Sequence, residues 1–153
     1  MLDIYNEFER LIAALSERGI EYAVCGGLAM AIHGVPRTTI DIEVLINAES
    51  LEAVKEAAAE LGYIIQASPM TFQKGAVEIR RVSKLDPDSG DVLMLDMLLV
   101  TPEVSVAWNT RTEVEWEFGT LWVVSRDGLI LLKSLRGSAQ DQADIERLKE
   151  TTE

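Results

Sequence analysis

Three carboxylates in this sequence stand where they could act together on a metal ion. Asp41 and Glu43 are two residues apart in segment 40–46, where charged and aliphatic residues alternate as in a β-strand. Both side chains would then project from one face of the strand, with Cα atoms about 6.5–7 Å apart. Asp96 interrupts an apolar run, where a bound cation would stabilise a carboxylate. We predict that the three converge on Mg²⁺ or Mn²⁺, which prefer oxygen ligands.

A glycine pair precedes these carboxylates. Gly26 and Gly27 end the β-like segment 20–25 and precede a short helical segment, 28–33. Glycines let backbone N–H groups approach a ligand closely, and a helix N-terminus favours an anion such as phosphate. Two metal ions about 3.5–4 Å apart would activate an attacking hydroxyl and bind a leaving phosphate. Phosphate-binding glycines beside three carboxylates are therefore typical of nucleotidyl transfer.

Each of these residues also has a purely structural interpretation. Asp41 and Glu43 could lie on a solvated strand face, and the glycine pair could form an ordinary tight turn. Asp96 could form an ion pair with Arg80 or Arg81. The sequence leaves these alternatives open beside the functional one.

Helix and strand patterns around these residues predict a mixed sheet. Helices are expected over 2–18, 50–61 and 125–135, and Ser138 with Asp141 forms a capping box for a last helix. Strands are expected over 63–67, 71–73, 77–82, 91–100, 111–118 and 121–124, with 91–100 central and a hairpin turn at Gly119-Thr120. We predict an α/β (α+β) fold in which helices pack on a mixed, largely antiparallel sheet. Residues 1–153 should form one domain, with a core of about 20–124 and C-terminal helices over about 125–150.

Composition narrows the classes of function. The 153 residues are 48% hydrophobic and 26% charged, which suits one folded domain. A net charge of −12 argues against a broad basic surface for duplex DNA or an anionic membrane. The single cysteine, Cys25, excludes an intrachain disulfide and a thiolate zinc cluster. No apolar run approaches the ~20 residues of a bilayer span, and no secretory signal is visible, so we expect a cytoplasmic protein.

The segment GGLAMAIHGVPRTTIDIEVLI resembles the DNA polymerase β-like nucleotidyltransferase superfamily. Its glycine pair is followed by thirteen residues and then by Asp41-Ile42-Glu43, and a distant Asp96 stands between aliphatic residues. Within the superfamily, this segment is similar to that of small bacterial nucleotidyltransferases, which include abortive-infection toxins. Residues 125–148, with Lys133, Arg136, Asp141 and Asp144, are similar to the end of that group's catalytic core.

The resemblance implies roles for the carboxylates. Asp41 and Glu43 would bind the metals, and Asp96 would be the third ligand and the base toward the acceptor hydroxyl. Many relatives carry aspartate where this sequence has Glu43. The extra methylene displaces the carboxylate by about a bond length, and Mg²⁺ demands near-ideal octahedral geometry.

The resemblance also implies residues that bind the nucleotide. Gly26 and Gly27 would hold the triphosphate, Lys133 would reach toward it, and Arg37 would steady a phosphate or the acceptor. Read structurally, Lys133 would be a surface lysine on an amphipathic helix, and Asp144 would lie on an exposed helix face.

The expected reaction is Mg²⁺-dependent transfer of a nucleoside monophosphate from an NTP to an acceptor hydroxyl, with release of pyrophosphate. The acidic composition favours a protein or small-molecule acceptor over a long nucleic acid. A tRNA end stays open through Arg37, Arg80, Arg81 and Lys84. The alternative is a non-catalytic module of the same fold that binds a nucleotide or a protein partner, as in a toxin–antitoxin pair. A third interpretation is a structural domain whose carboxylates are grouped by chance.

Overall fold

The computed structural model describes residues 2–36 and 39–151, so Arg37 and its predicted phosphate contact lie outside the described residues. The helices in these residues are α1 (Ile4–Glu17), α2 (Gly26–Ile32), α3 (Leu51–Glu60), α4 (Ser105–Asn109), α5 (Arg126–Arg136) and α6 (Ala139–Glu150). The strands are β1 (Ala23–Cys25), β2 (Asp41–Ile46), β3 (Ile65–Gln66), β4 (Met70–Phe72), β5 (Val77–Leu85), β6 (Val92–Leu99), β7 (Thr112–Trp116) and β8 (Gly119–Val123).

The described strands form one sheet in the order β3-β5-β6-β2-β1-β8-β7, and β4 also pairs with β5. The pairs β2–β6 and β1–β8 are parallel, and the other pairs are antiparallel. This confirms the predicted α/β fold with a mixed, largely antiparallel sheet. The apolar strand β6 lies between β5 and β2, which is the central position that its sequence predicts.

The helices begin at the residues whose side chains can cap them. Asp3 accepts hydrogen bonds from the first backbone amides of α1, and Ser125 accepts one from Gly128 in α5. Ser138 and Asp141 form the predicted capping box of α6. Helix α1 buries Leu11 and Leu15, which are one turn apart, so its apolar stripe fixes it to the core.

The hairpin between β7 and β8 turns at a different place from the one predicted. Trp116 pairs with Gly119, so Glu117 and Phe118 form the two-residue turn, and Gly119 begins β8 with φ at +122°. The prediction of a turn at Gly119-Thr120 is therefore wrong by two residues. Glycine is the residue that adopts this φ readily, and it does so at the strand end instead of within the turn.

The two strands that carry the candidate carboxylates are anchored by the buried apolar residues that flank Glu43 and Asp96. Ile42 and Val44 of β2 and Leu95 and Met97 of β6 are fully buried. Because side chains alternate along a strand, their burial directs the intervening residues to the opposite face. In the described part of the chain, no helix has the length and apolar character needed to cross a bilayer.

Candidate functional site

Glu43 and Asp96 lie side by side on the sheet. The parallel register of β2 and β6 pairs Glu43 with Asp96, on strands that are about 4.8 Å apart in a typical sheet. Across the neighbouring antiparallel pairs, Cys25 lies opposite Glu43 and Arg81 lies opposite Asp96. Because paired residues project from the same face, these four side chains form one row across four strands.

Asp41 lies at the start of β2, two residues before Glu43, and therefore on the same face. Its side chain is half-buried, and the Thr39 hydroxyl is 3.3 Å from its Oδ1 and 3.1 Å from its backbone oxygen. The structure thus brings the three carboxylates singled out in the sequence to one face, with Asp41 the most accessible of them.

Glu43 is held by an arginine from the C-terminal end of α5. The Arg136 guanidinium donates from Nη1 to Oε1 of Glu43 at 2.5 Å, and Glu43 is only 7% exposed. Burial raises the pKa of Glu43; Arg136 opposes that rise, and the carboxylates of Asp96 and Asp41 add to it. The negative charge of Glu43 in turn raises the pKa of Arg136. The Arg136 guanidinium therefore offsets part of the effect of burial on Glu43.

Asp96 accepts a bidentate pair of hydrogen bonds from an arginine of β5. Arg81 donates from Nε to Oδ1 at 2.6 Å and from Nη2 to Oδ2 at 2.9 Å. Asp96 is 2% exposed, and its hydrogen bond raises the pKa of Arg81. Of the two ion pairs that the sequence left open for Asp96, the structure contains the one with Arg81.

The glycine pair packs against two side chains of the site, Gly26 against Glu43 and Gly27 against Thr39. A Cβ on Gly26, whose φ is +67°, would lie 2.2 Å from Oε2 and 2.9 Å from Cβ of Glu43. A Cβ on Gly27 would lie 2.8 Å from Oγ1 of Thr39. Both glycines therefore make room for side chains of the site. Their predicted contact with a triphosphate stays a prediction.

Lys133 is buried between the last two helices. Its ammonium donates to Oδ2 of Asp144 at 2.8 Å and lies 3.8 Å from Oδ1 of Asp141, and the residue is 4% exposed. Asp144 is fully buried and also accepts a hydrogen bond from Gln140. The structural interpretations of Lys133 as a surface lysine and of Asp144 as an exposed residue are therefore wrong.

Across residues 2–36 and 39–151, no three His, Cys, Asp or Glu side chains form a group that could hold a metal ion. Two of the three candidate ligands are instead directed at guanidinium groups, Glu43 at Arg136 and Asp96 at Arg81. Carboxylate oxygens are the ligand type that Mg²⁺ and Mn²⁺ prefer, but here those of Glu43 and Asp96 are bound by arginines. A cation at these carboxylates would have to displace the two arginines.

Sequence reasoning missed the two arginines as members of the site. Arg136 stands 93 residues from Glu43, and no local pattern predicts that contact. Only the resemblance placed Arg136 near a catalytic core. The sequence predicts Arg81 only as a structural partner of Asp96 or as a contact for tRNA, whereas its register opposite Asp96 puts it in the same row.

Comparison with known proteins identifies the fold. No family model and no curated protein matches the sequence. The structure is similar to the lincosamide antibiotic adenylyltransferase LnuA, bound to lincomycin (TM-score 0.62, 15% identity, 96% of this chain and 97% of that chain). It is similar to the antibiotic-resistance factor ANT(2'')-Ia (0.59, 12%, 96% and 83%) and to a candidate nucleotidyltransferase from Thermotoga maritima (0.57, 13%, 95% and 88%). The chain therefore has the nucleotidyltransferase fold.

Proposed function

We propose that this protein transfers a nucleoside monophosphate from an NTP to a hydroxyl group of a small molecule, with a divalent cation. The observation that carries the proposal is the placement of Glu43 beside Asp96 across the parallel β2–β6 pair, with Asp41 on the same face. Gly26 lies against this group, where a side chain would collide with Glu43. We take carboxylates on one face beside close backbone as support for nucleotidyl transfer.

The small-molecule acceptor is supported by the structures with the same fold. LnuA is a lincosamide adenylyltransferase in complex with lincomycin, and ANT(2'')-Ia has been solved with adenylyl-2''-tobramycin (TM-score 0.50). Both molecules are antibiotics of low mass, and the second carries the transferred adenylyl group. A net charge of −12 also suits a small acceptor better than a long nucleic acid.

The proposed roles follow from position. Asp41, Glu43 and Asp96 would hold Mg²⁺ or Mn²⁺, which when bound would polarise the phosphate and the acceptor hydroxyl. The acceptor oxygen forms a bond to the α-phosphorus as the bond to pyrophosphate breaks, and Asp96 accepts the hydroxyl proton. This role requires Arg81 to release at least one of the two Asp96 oxygens that it binds.

The remaining proposed roles concern the nucleotide. The backbone N–H groups of Gly26 and Gly27 are the proposed contacts for the triphosphate. Lys133 would contact the phosphates, which requires its ammonium to leave Asp144. Arg37 lies in the segment between α2 and β2 and stays a proposed contact for a phosphate or the acceptor.

Labelled-nucleotide transfer tests the proposal. The protein is incubated with each α-labelled NTP, Mg²⁺ or Mn²⁺, and a panel of lincosamides, aminoglycosides, protein hydroxyls and tRNA. We expect an acceptor to gain the mass of one nucleoside monophosphate. Asp41→Asn and Asp96→Asn should abolish the gain, whereas Asp88→Asn, at an exposed turn position, should not. Equal transfer by Asp96→Asn and the unaltered protein would contradict the assigned roles.

One observation favours a second function. Both Glu43 and Asp96 are neutralised by arginines, as expected if the row were a structural ion-pair network. The protein would then be a non-catalytic module that binds a nucleotide or a protein partner, such as one member of a toxin–antitoxin pair. NTP binding that persists while no acceptor in the panel is labelled would favour this alternative.

A further inference from the structure

A cavity of about 330 Å³ opens between the start of α1 and the turn that joins β7 to β8. We propose that it binds a small organic ammonium ion, whose alkylated nitrogen lies among aromatic rings and carboxylates. The cavity shares no residue with the site around Glu43 and Asp96, so this inference is independent of nucleotidyl transfer. Its lining residues are Asp3, Tyr5, Asn6, Glu9, Trp116, Glu117 and Phe118.

Three of the lining side chains are aromatic. Tyr5 is 64% exposed and Phe118 is 51% exposed, so both rings are open to a ligand. Trp116 meets the Phe118 ring edge to face, with centroids 5.1 Å apart, and it is fixed against α1 by a similar contact with Phe8 at 5.3 Å. Aromatic faces attract cations through the ring quadrupole, and groups of such rings recognise quaternary ammonium ions.

The charged side chains that line the cavity are all carboxylates. Within the described residues, Glu9 and Glu117 form no ion pair, so no basic group competes with a ligand for them. Asp3 accepts hydrogen bonds from the amides of Tyr5 and Asn6, and its charge offsets the positive end of the α1 dipole. The cavity therefore attracts a cation and repels an anion.

The size and lining of the cavity favour an organic cation over a metal ion. Its volume lies in the usual range of small-molecule sites, about 300–1,000 Å³. A metal ion would need several oxygen ligands around one point, and no such group exists in the described part of the chain. An alkylated ammonium ion instead places its methyl groups against the rings of Tyr5, Trp116 and Phe118 while its charge faces the carboxylates.

Titration calorimetry with simple ammonium ions tests the proposal. The probes are choline, phenyltrimethylammonium and dimethylbutanol, the neutral analogue of choline in which a carbon atom replaces the nitrogen. We expect both ammonium ions to bind. Dimethylbutanol should bind at least about tenfold more weakly than choline, because it keeps the shape but loses the charge that the rings and carboxylates attract.

Substitutions at the surface of the cavity separate its contributions and should leave the fold intact. Tyr5→Leu and Phe118→Leu should each weaken the binding of choline about three- to thirtyfold, because one ring that contacts the cation is lost. Phe72→Leu is the matched control, since Phe72 is 47% exposed on β4 and does not line the cavity. Glu117→Gln should weaken binding about two- to fivefold, whereas Glu56→Gln, at an exposed position of α3, should leave it unchanged.

The outcomes decide the proposal without reference to nucleotide transfer. Binding of choline that Tyr5→Leu and Phe118→Leu weaken and Phe72→Leu does not would support it. Equal binding of choline and dimethylbutanol would refute it, because the cavity would then select apolar surface and not charge. It would also be refuted if neither ammonium ion binds at millimolar concentration, or if the protein binds vesicles of phosphatidylcholine but no free choline.

Discussion

Gly26→Ala should test the packing of the site against the turn that precedes α2. The residue has a φ of +67°, and an added Cβ would lie 2.9 Å from Cβ and 2.2 Å from Oε2 of Glu43. The first of these atoms is fixed to the strand and cannot rotate away. The substitution must therefore push β2 and the α2 turn apart, and it must displace the carboxylate that Arg136 contacts.

The size of the effect can be estimated from two contributions. An L-residue in the left-handed region is destabilised by about 1–2 kcal/mol relative to glycine. Carbon atoms pack at about 3.5–4.0 Å, so the backbones must separate by at least about 0.6 Å, and overpacking of this kind costs about 1–3 kcal/mol. We expect Gly26→Ala to lower the free energy of unfolding by about 2–5 kcal/mol in total.

Gly19→Ala is the matched control, because Gly19 has the same φ of +67° and nothing within 4 Å of the added Cβ. It should lose only the backbone contribution, about 1–2 kcal/mol. Urea unfolding of the two variants, with unchanged m-values, measures the difference, which we expect to equal the overpacking contribution of about 1–3 kcal/mol. If the two variants are equally stable, Gly26 does not lie against Glu43 and the reasoning about the site fails.

Two further predictions concern buried groups near the site. Lys133→Met removes the ammonium that contacts Asp144, and urea unfolding should show a loss of about 2–4 kcal/mol, against less than about 0.5 kcal/mol for Lys149→Met at an exposed position. Burial, with a contribution from Glu43, raises the pKa of the Cys25 thiol, so its contribution to stability is complete below about pH 8.5 and decreases as pH rises further. A thiol reagent at pH 8 should modify Cys25 only as fast as the protein unfolds, and rapid modification of the native protein would contradict its burial.

Local patterns predicted the parts of the site that lie on one element. The period of two along β2 is enough to place Asp41 and Glu43 on one face, because aliphatic residues must alternate with them toward the core. The continuous apolar character of β6 predicted a central strand, since only such a strand buries both faces. That β6 lies next to β2 followed from the resemblance and not from either pattern.

The contacts between distant elements could not be predicted in this way. Helix α6 turns back on α5 after Gly137, whose φ of +68° ends α5. This turn places Asp144 against Lys133, although each residue viewed on its own helix suits an exposed position. The contact of Arg136 with Glu43 is also beyond local patterns, because it forms only where the end of α5 lies over the sheet. Such pairs depend on how helices are oriented on the sheet, which local periodicity does not specify.

The site carries a formal charge of the same sign as that of the whole chain, but a much smaller one. The net charge of −12 suggests that a polyanionic NTP would be repelled. Among the described residues, the guanidinium groups of Arg81 and Arg136 lie beside the carboxylates of Asp41, Glu43 and Asp96. Two positive and three negative groups leave one formal negative charge. A divalent cation would reverse that sign. Under the proposed function, an NTP should therefore bind weakly without a divalent cation, because the local charge balance is negative.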